Sequence, residues 1–261
     1  MIKLSVVIVT RDNPKDLEQT LNSLFIQTYK KNVELIIVNG GAKISYNLKK
    51  LKFKLKIFND NASGIYAAMN LGLKHANGKH ALFLNSGDCF IENNVLKNIL
   101  SINLDQKKGY FMICNVVGKK DSWNIPSDIN KIINKTNVPV HQSILFNKSF
   151  YKKQKYNLNF KIASDYEYKI KFFEQRNINF IPYVSSKHFL GGVSSTYNWK
   201  NYCIILKELF IIDLKYQRIS TLFSNQLNLF FKFILFQIDQ ISLMERVIKK
   251  KYKNNCYEFN L

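Results

Sequence analysis

The sequence predicts an α/β fold: a mostly parallel sheet flanked by helices, with a helical C-terminal appendage. Three observations predict it. Short apolar or β-branched runs at 4–9, 33–38, 54–58 and 81–84 alternate with stretches of helical periodicity, the pattern of repeated β-α-β units joined by right-handed crossovers. The runs end in turn formers, Asn39-Gly40-Gly41 after the second and Asn85-Ser86-Gly87 after the fourth. From Tyr197 onward the chain is helix-compatible, with almost no glycine or proline.

In chain order, the β-branched run 4–9 is the first strand. Asn13-Pro14 followed by Asp16 supplies an N-cap, a first-turn proline and a first-turn acid for a helix on which Leu17, Leu21, Leu24 and Phe25 recur at helical spacing. A helix over 65–76 is opened by Gly64 and closed by Asn77-Gly78, and it leads into the strand 81–84. Asp88 therefore lies just past a strand's carboxyl end, the edge where open α/β sheets bind ligands; a carboxylate there can hold a divalent cation bridging phosphates, or cap a helix starting near Glu92. Thr10-Arg11-Asp12, Asn39-Gly40-Gly41 and Asn85-Ser86-Gly87-Asp88 gather at one rim, as a nucleotide site requires. No G-x-G-x-x-G or Walker sequence is present, which argues against a dinucleotide dehydrogenase or a P-loop NTPase.

At 261 residues the chain can bury one sizeable core or hold one domain plus an appendage, and 46% hydrophobic residues make it globular. A formal charge of +21, from 39 Lys and Arg against 18 Asp and Glu, favours an anionic partner: a phospholipid surface, nucleic acid or a phosphorylated substrate. Lysines scattered through the folded segments, without a nucleic-acid motif, argue against the second. Cys89, Cys114, Cys203 and Cys256 have neither metal-ligand nor paired spacing, so reduced thiols in a cytosolic setting are expected. The first ten residues read as a strand without cleavable-signal character, and no run reaches the ~20 apolar residues of a membrane span.

An ordered set of short motifs carries a resemblance. Ser5-Val6-Val7-Ile8-Val9-Thr10, the helix end 21–27 with Thr28, Val38-Asn39-Gly40-Gly41, Gly64-Ile65-Tyr66-Ala67-Ala68-Met69-Asn70, Phe83-Leu84-Asn85-Ser86-Gly87-Asp88, His141-Gln142, Ala163-Ser164-Asp165-Tyr166 and Gly191-Gly192-Val193-Ser194 follow one another over residues 1 to about 196. In that order the chain resembles a family 2 glycosyltransferase of the GT-A fold, of the bacterial colanic-acid and O-antigen type. The resemblance implies a Rossmann-like catalytic domain over 1–196, followed by a basic, amphipathic segment over 197–261.

It also implies roles. Asp88 matches the last acid of the family's metal motif and would hold Mg²⁺ or Mn²⁺, which stabilises the charge on a departing diphosphate. Asp165 matches the catalytic base that takes the proton from an acceptor hydroxyl in a single inverting displacement; it is equally placed to be the first-turn acid of the helix carrying Tyr166, Ile170 and Phe173. Thr10, Arg11, Asn39, Gly40, Gly64, Asn70, Asn85 and Ser86 would line the nucleotide pocket. His141 and Gln142 would contact the acceptor or a donor phosphate, with a structural role open for the histidine. His188 would approach the metal or the diphosphate, or be structural.

The chain departs from the family at three places where an acid is usual: Asn39, Ala62 and Ala67. An amide at 39 offers a donor and an acceptor but no charge. Asn85 and Gly87, where the metal motif has its first acids, recur in the colanic-acid type.

Residues 110–117 read as a further strand, 121–135 as a polar loop suited to a wall of the acceptor site, and 191–194 as a turn closing over the site. Near the C-terminus, Leu227, Phe230, Phe231, Ile234, Ile238 and Ile241 share a broad apolar helical face, with Asn225, Asn228, Lys232 and Asp239 on a narrow polar one. Arg246, Lys249, Lys250, Lys251 and Lys253 follow, as in an interfacial helix on an anionic leaflet; packing on the core or in a dimer interface is the alternative. The expectation is a metal-dependent enzyme, peripheral on the cytoplasmic face of a bacterial inner membrane. It would move a hexose or N-acetylhexosamine from a nucleotide diphosphate, UDP above others, to a polyprenyl-diphosphate-linked glycan. The rival is a catalytically idle, membrane-bound scaffold of the same fold.

Overall fold

Strands β1 (Leu4–Thr10) and β2 (Val33–Asn39) are buried along their whole length, as β-branched runs covered on both faces must be. They pair in parallel with each other, β2 with β3 (Lys54–Asn59) and β1 with β4 (His80–Phe83). The structure, a computed structural model, describes residues 1–61, 63–118, 121–125, 139–175, 177–190 and 198–218, together with 226, 227, 229–231, 233 and 234. Ala62, the turn at 191–194, most of the loop 121–135, and Asn225, Asn228, Lys232, Ile238, Asp239, Ile241 and the basic residues 246–253 lie outside them.

The parallel half is as the alternating pattern predicts. The other half is mixed: β8 (Ile144–Asn147) runs antiparallel to β4 and to β6 (Gly109–Val117), β9 (Ile178–Phe189) is parallel to β6, and β5 (Cys89–Phe90) is antiparallel to β9. β7 (Ser122–Ile125) pairs with β6 outside the main path. The order is β3-β2-β1-β4-β8-β6-β9-β5. β4 and β5 are joined by residues 84–88 alone, yet four strand spacings of about 4.8 Å separate them in this order. That linker includes a turn, so the sheet has to curl, and register shifts opposite Ile113, where β9 carries the extra residues, supply bends.

Alternation along β1 fills two cores. Leu4, Val6 and Ile8 pack with Leu17, Leu21 and Leu24 of α1 (Pro14–Phe25) and with Val95, Leu96 and Ile99 of α3 (Val95–Ser101). Val7 and Val9 face Tyr66, Met69 and Leu73 of α2 (Ile65–His75) and share a cluster with Tyr168 and Phe172, further along the chain. α1 starts as its sequence requires: the Asn13 side chain accepts from Asp16 N, with Pro14 in the first turn.

At the end of the sheet remote from the β1 and β2 carboxyl termini, the buried Glu34 carboxylate ties three strands to the exit of α2. It accepts from Ser5 Oγ (2.7 Å) and Asn77 N (2.6 Å) and pairs with Lys56 Nζ (2.8 Å). Burial alone would raise the Glu34 carboxyl, but hydrogen bonds from Lys56, Ser5 and the Asn77 amide outweigh it and hold it below the usual range.

Two more helices follow β8, α4 (Lys148–Tyr151) and α5 (Ser164–Phe173), and α6 (Trp199–Lys215) comes after them. Leu229 packs with Tyr202 and Ile205 of α6, and Phe233 stacks on Tyr202 at 4.3 Å, while Leu227, Phe230, Phe231 and Ile234 are exposed. Among the described residues no helix is long and apolar enough to cross a membrane. Cys89, Cys114 and Cys203 are free.

Because Glu34 is depressed in the folded state, its contribution to stability is present above the unfolded carboxyl pKa of about 4.3 and is lost as pH falls through the folded value. Glu34→Ala should lower the unfolding free energy by about 3 kcal/mol at pH 7 in urea titrations, with the gap to the parent narrowing below pH ~4.

Candidate active site at the rim of the sheet

β1 and β2 end side by side, Thr10 opposite Asn39, and Gly40 N donates to Thr10 O (2.9 Å). Beyond them the buried Asn39 amide organises its own loop: Nδ2 donates to Ala42 O (2.8 Å) and Gly41 O (3.3 Å), and Oδ1 accepts from Gly41 N (3.2 Å). Asp12, with φ of 49°, reaches across so that Oδ1 accepts from Ala42 N (3.0 Å). A Cβ at Gly41 would stand 2.2 Å from that Oδ1 and 2.6 Å from Asp12 N, so only glycine lets the two loops approach. Between them lies a cleft of about 370 Å³, lined by Thr10, Asp12, Lys15 and Glu18 on one side and by Asn39 and residues 42–46 on the other. Asp12 stands at the rim the sequence predicts, whereas Tyr46 is not among the expected pocket residues and nothing local in the sequence marks it. Neither Asp88 nor Asp165 lines this cleft.

Arg11 points outward from the same rim, 3.7 Å from Asp12 and largely exposed. Gly64, with φ of 101°, caps α2 and has open space where a Cβ would be. Asn70, on α2, is tied to a later segment of the chain. Both ends of its amide are engaged by the backbone of Tyr156, to which Nδ2 donates (3.0 Å) and from which Oδ1 accepts (2.8 Å).

The loop carrying Asp88 is built against β1 and α1. Leu84 N and Ser86 N donate to Val7 O and Val9 O, Gly87 N donates to Thr20 Oγ1 (2.9 Å), and Asp88 N closes the turn on Asn85 O (2.9 Å). Asp88 caps no helix, since α3 begins at Val95 behind Asn94. Its side chain is only 6% exposed; Oδ2 accepts from Gln142 Nε2 (2.6 Å) and Oδ1 from His188 Nδ1 (2.8 Å).

Asp165 lies in the first turn of α5. Lys169, one turn on, is 3.1 Å from Oδ2, and His141 Nδ1 is 3.8 Å from the same oxygen. Burial would raise this carboxyl, but the Lys169 ammonium and the His141 ring hold it far below the usual carboxylate range. At 29% exposure it is the more open of the two carboxylates.

His141 and Gln142 join the two carboxylates. Antiparallel pairing sets Ala81 opposite Phe146, so the chain entering β8 lies over the exit of β4. Gln142 donates to Asp88, while the other His141 nitrogen, Nε2, is 3.0 Å from Asn85 Nδ2. Neighbours in sequence thus hold one acid each. Among the described residues, Asn85 Oδ1, Ser86 Oγ and Gln142 Oε1 are buried without a hydrogen-bond partner.

These oxygens decide whether a hard cation fits. Mg²⁺ and Mn²⁺ take oxygen ligands, commonly one or two carboxylates with the rest from water and substrate phosphates. Asp88 beside unpartnered oxygens of its own loop suits that chemistry. Among the described residues no group of three or more His, Cys, Asp or Glu could cage a metal, so diphosphate oxygens would have to complete the shell.

A family model described as Glycosyl transferase family 2 matches residues 5–176. The PGL/p-HBAD biosynthesis glycosyltransferase of Mycobacterium bovis is 25% identical over 206 residues, covering 74% of this chain and 79% of the relative. Among solved structures, S. aureus TarS 1-349 in complex with UDP-GlcNAc aligns with a TM-score of 0.64 at 18% identity, covering 89% of this chain and 73% of that one. The mannosyltransferase PcManGT from Pyrobaculum calidifontis, in complex with GDP-Man and Mn²⁺, aligns with a TM-score of 0.58 at 13% identity, covering 83% and 64%. The chain spans 44% of a longer TarS structure. Both structural likenesses are of the fold.

The Asn39 geometry gives a direct expectation. Asn39→Asp replaces a donor of two hydrogen bonds by an acceptor facing two carbonyls, and should cost about 2 kcal/mol in urea unfolding despite being nearly isosteric.

Proposed function

The chain belongs to glycosyl transferase family 2, and from that premise we propose that it is an inverting, cation-dependent enzyme with Asp88 on the donor side and Asp165 as the base. The single observation that supports this most is the His141-Gln142 pair, which brings a nearly buried and a more open carboxylate together at one rim. In this reading Thr10, Asn39 and Gly40 frame the nucleotide, Arg11 and Gly64 stand at its margin, and Asn85 and Ser86 face the diphosphate. The donor is a nucleotide-diphosphate hexose or N-acetylhexosamine, with UDP the expected nucleotide.

The bond changes assign each residue a task. The acceptor hydroxyl oxygen bonds to the anomeric carbon from the face opposite the diphosphate, the carbon–oxygen bond to the diphosphate breaks, and the hydroxyl proton passes to Asp165. Bound at Asp88, Mg²⁺ or Mn²⁺ would offset charge on the departing diphosphate. Lys169 keeps Asp165 ionised but makes it a weak base, so the proton moves late, once the attacking oxygen has become acidic.

The acceptor we infer is a polyprenyl-diphosphate-linked glycan of O-antigen, capsule or exopolysaccharide assembly, met at the cytoplasmic face of a bacterial inner membrane. Exposed Leu227, Phe230, Phe231 and Ile234, the basic sequence 246–253 and the net charge of +21 support attachment to an anionic surface. The idle-scaffold reading draws on Asn39, whose amide is already engaged by its own loop. A panel of sugar nucleotides with Mn²⁺ separates the two: stabilisation of the melting temperature by one donor supports the enzyme, and none across the panel supports the scaffold.

With the active donor, Asp165→Asn should retain donor binding and lose transfer by roughly 100-fold or more. Lys169→Gln removes the charge that depresses Asp165. The carboxyl then rises, and the acid limb of kcat should move to higher pH in the variant than in the parent, in a pH–rate profile.

A further inference from the structure

We propose that α6, which lies beyond the residues matched by the family, is a positioning element of the reaction, with Glu208 holding the backbone that delivers Asp165. This rests on the reading of Asp165 as the base. Glu208 is buried, and its carboxylate accepts three consecutive backbone N–H groups: Lys161 N at Oε1 (2.6 Å), and Ile162 N (3.0 Å) and Ala163 N (2.8 Å) at Oε2. Successive amides converging on one anion form a nest, and charge-assisted bonds of this kind are about twice as strong as neutral ones. On the carbonyl side, Tyr66 Oη donates to Ile162 O.

Two further ties run from α6 to the first turn of α5. Tyr166 Oη donates to Asp213 Oδ1 (3.0 Å), and Lys215 Nζ pairs with Glu167 Oε1 (2.7 Å). Segments on both sides of Asp165 are therefore fixed from one helix: 161–163 before it and 166–167 after it. Ordinary packing does not need this. Ile162, Tyr202 and Ile205 in one cluster, and Phe160, Ala163, Ile170 and Ile212 in another, already supply apolar contact, and a buried carboxylate is a costly way to add cohesion. What the carboxylate adds is direction: it sets the orientation of three peptide units immediately before the base, and misplacement by ~1 Å can cost ~100-fold in rate.

The test uses the full chain as Glu208→Gln, Glu208→Ala and Asp165→Asn, with Lys207→Gln as an exposed neighbour. Turnover is read as nucleotide diphosphate release from UDP-GlcNAc, UDP-glucose, UDP-galactose and GDP-mannose with Mn²⁺, using bacterial inner-membrane vesicles as acceptor source. Amide hydrogen exchange at 161–163 is read without substrate. Glu208→Gln, close to isosteric, should lower kcat roughly 10- to 100-fold with donor KM within about twofold and with faster exchange at 161–163, while Lys207→Gln matches the parent. Unchanged exchange at 161–163 in Glu208→Gln, or parental kcat in both folded Glu208 variants, would overturn the proposal. Parental kcat in the Glu208 variants with a silent Asp165→Asn removes only the positioning role. Full turnover in Asp165→Asn removes the base reading beneath it.

Discussion

The hydrogen bond from Gln142 to Asp88, with His141 beside it facing Asp165, is the constraint on which the proposed site depends. It exists because β8 enters the sheet antiparallel to β4, so the segment preceding β8 crosses above the loop that follows β4. A parallel strand at that position would have sent residues 141–142 to the other end of the sheet. One strand direction thus converts two carboxylates 77 residues apart in sequence (165 − 88) into members of one cluster.

Around this cluster the charges are arranged differently. Asp88 is nearly sealed and holds neutral or titratable donors, Gln142 and His188, which a cation with its phosphates can displace or share, since each carboxylate oxygen keeps a second lone pair. Asp165 is more open and sits against a fixed ammonium, Lys169, which keeps it ionised and limits its basicity. In the proposed mechanism one acid would take the cation and the other the proton.

Much of this was legible in the sequence, for a physical reason in each case. The β-α-β half follows from periodicity and turn residues, the α1 start from Asn13-Pro14, and Asp88 past a strand end from the break at Asn85-Ser86-Gly87. What stayed hidden depends on long-range side-chain bonds without a local signature. The tie of Asn70 to the backbone of Tyr156, the support Asp12 gives residue 42 at the rim, and the hold of Gln142 and His188 on Asp88, for which a helix cap was the alternative, are all of this kind. The grip of Glu208 on 161–163 was equally invisible, since nothing in an isolated amphipathic helix says which carboxylate will be turned inward. The mixed second half of the sheet also lacks a local signal, since β8 and β5 take antiparallel partners distant in sequence.

In the proposed mechanism Asp88 couples the cation to the donor. Calorimetric titration of the donor identified by thermal stabilisation, with and without Mn²⁺, into the parent chain and Asp88→Asn tests it most directly. Mn²⁺ should tighten donor binding at least about tenfold in the parent and have no effect in Asp88→Asn. Equal enhancement by Mn²⁺ in both proteins would contradict it.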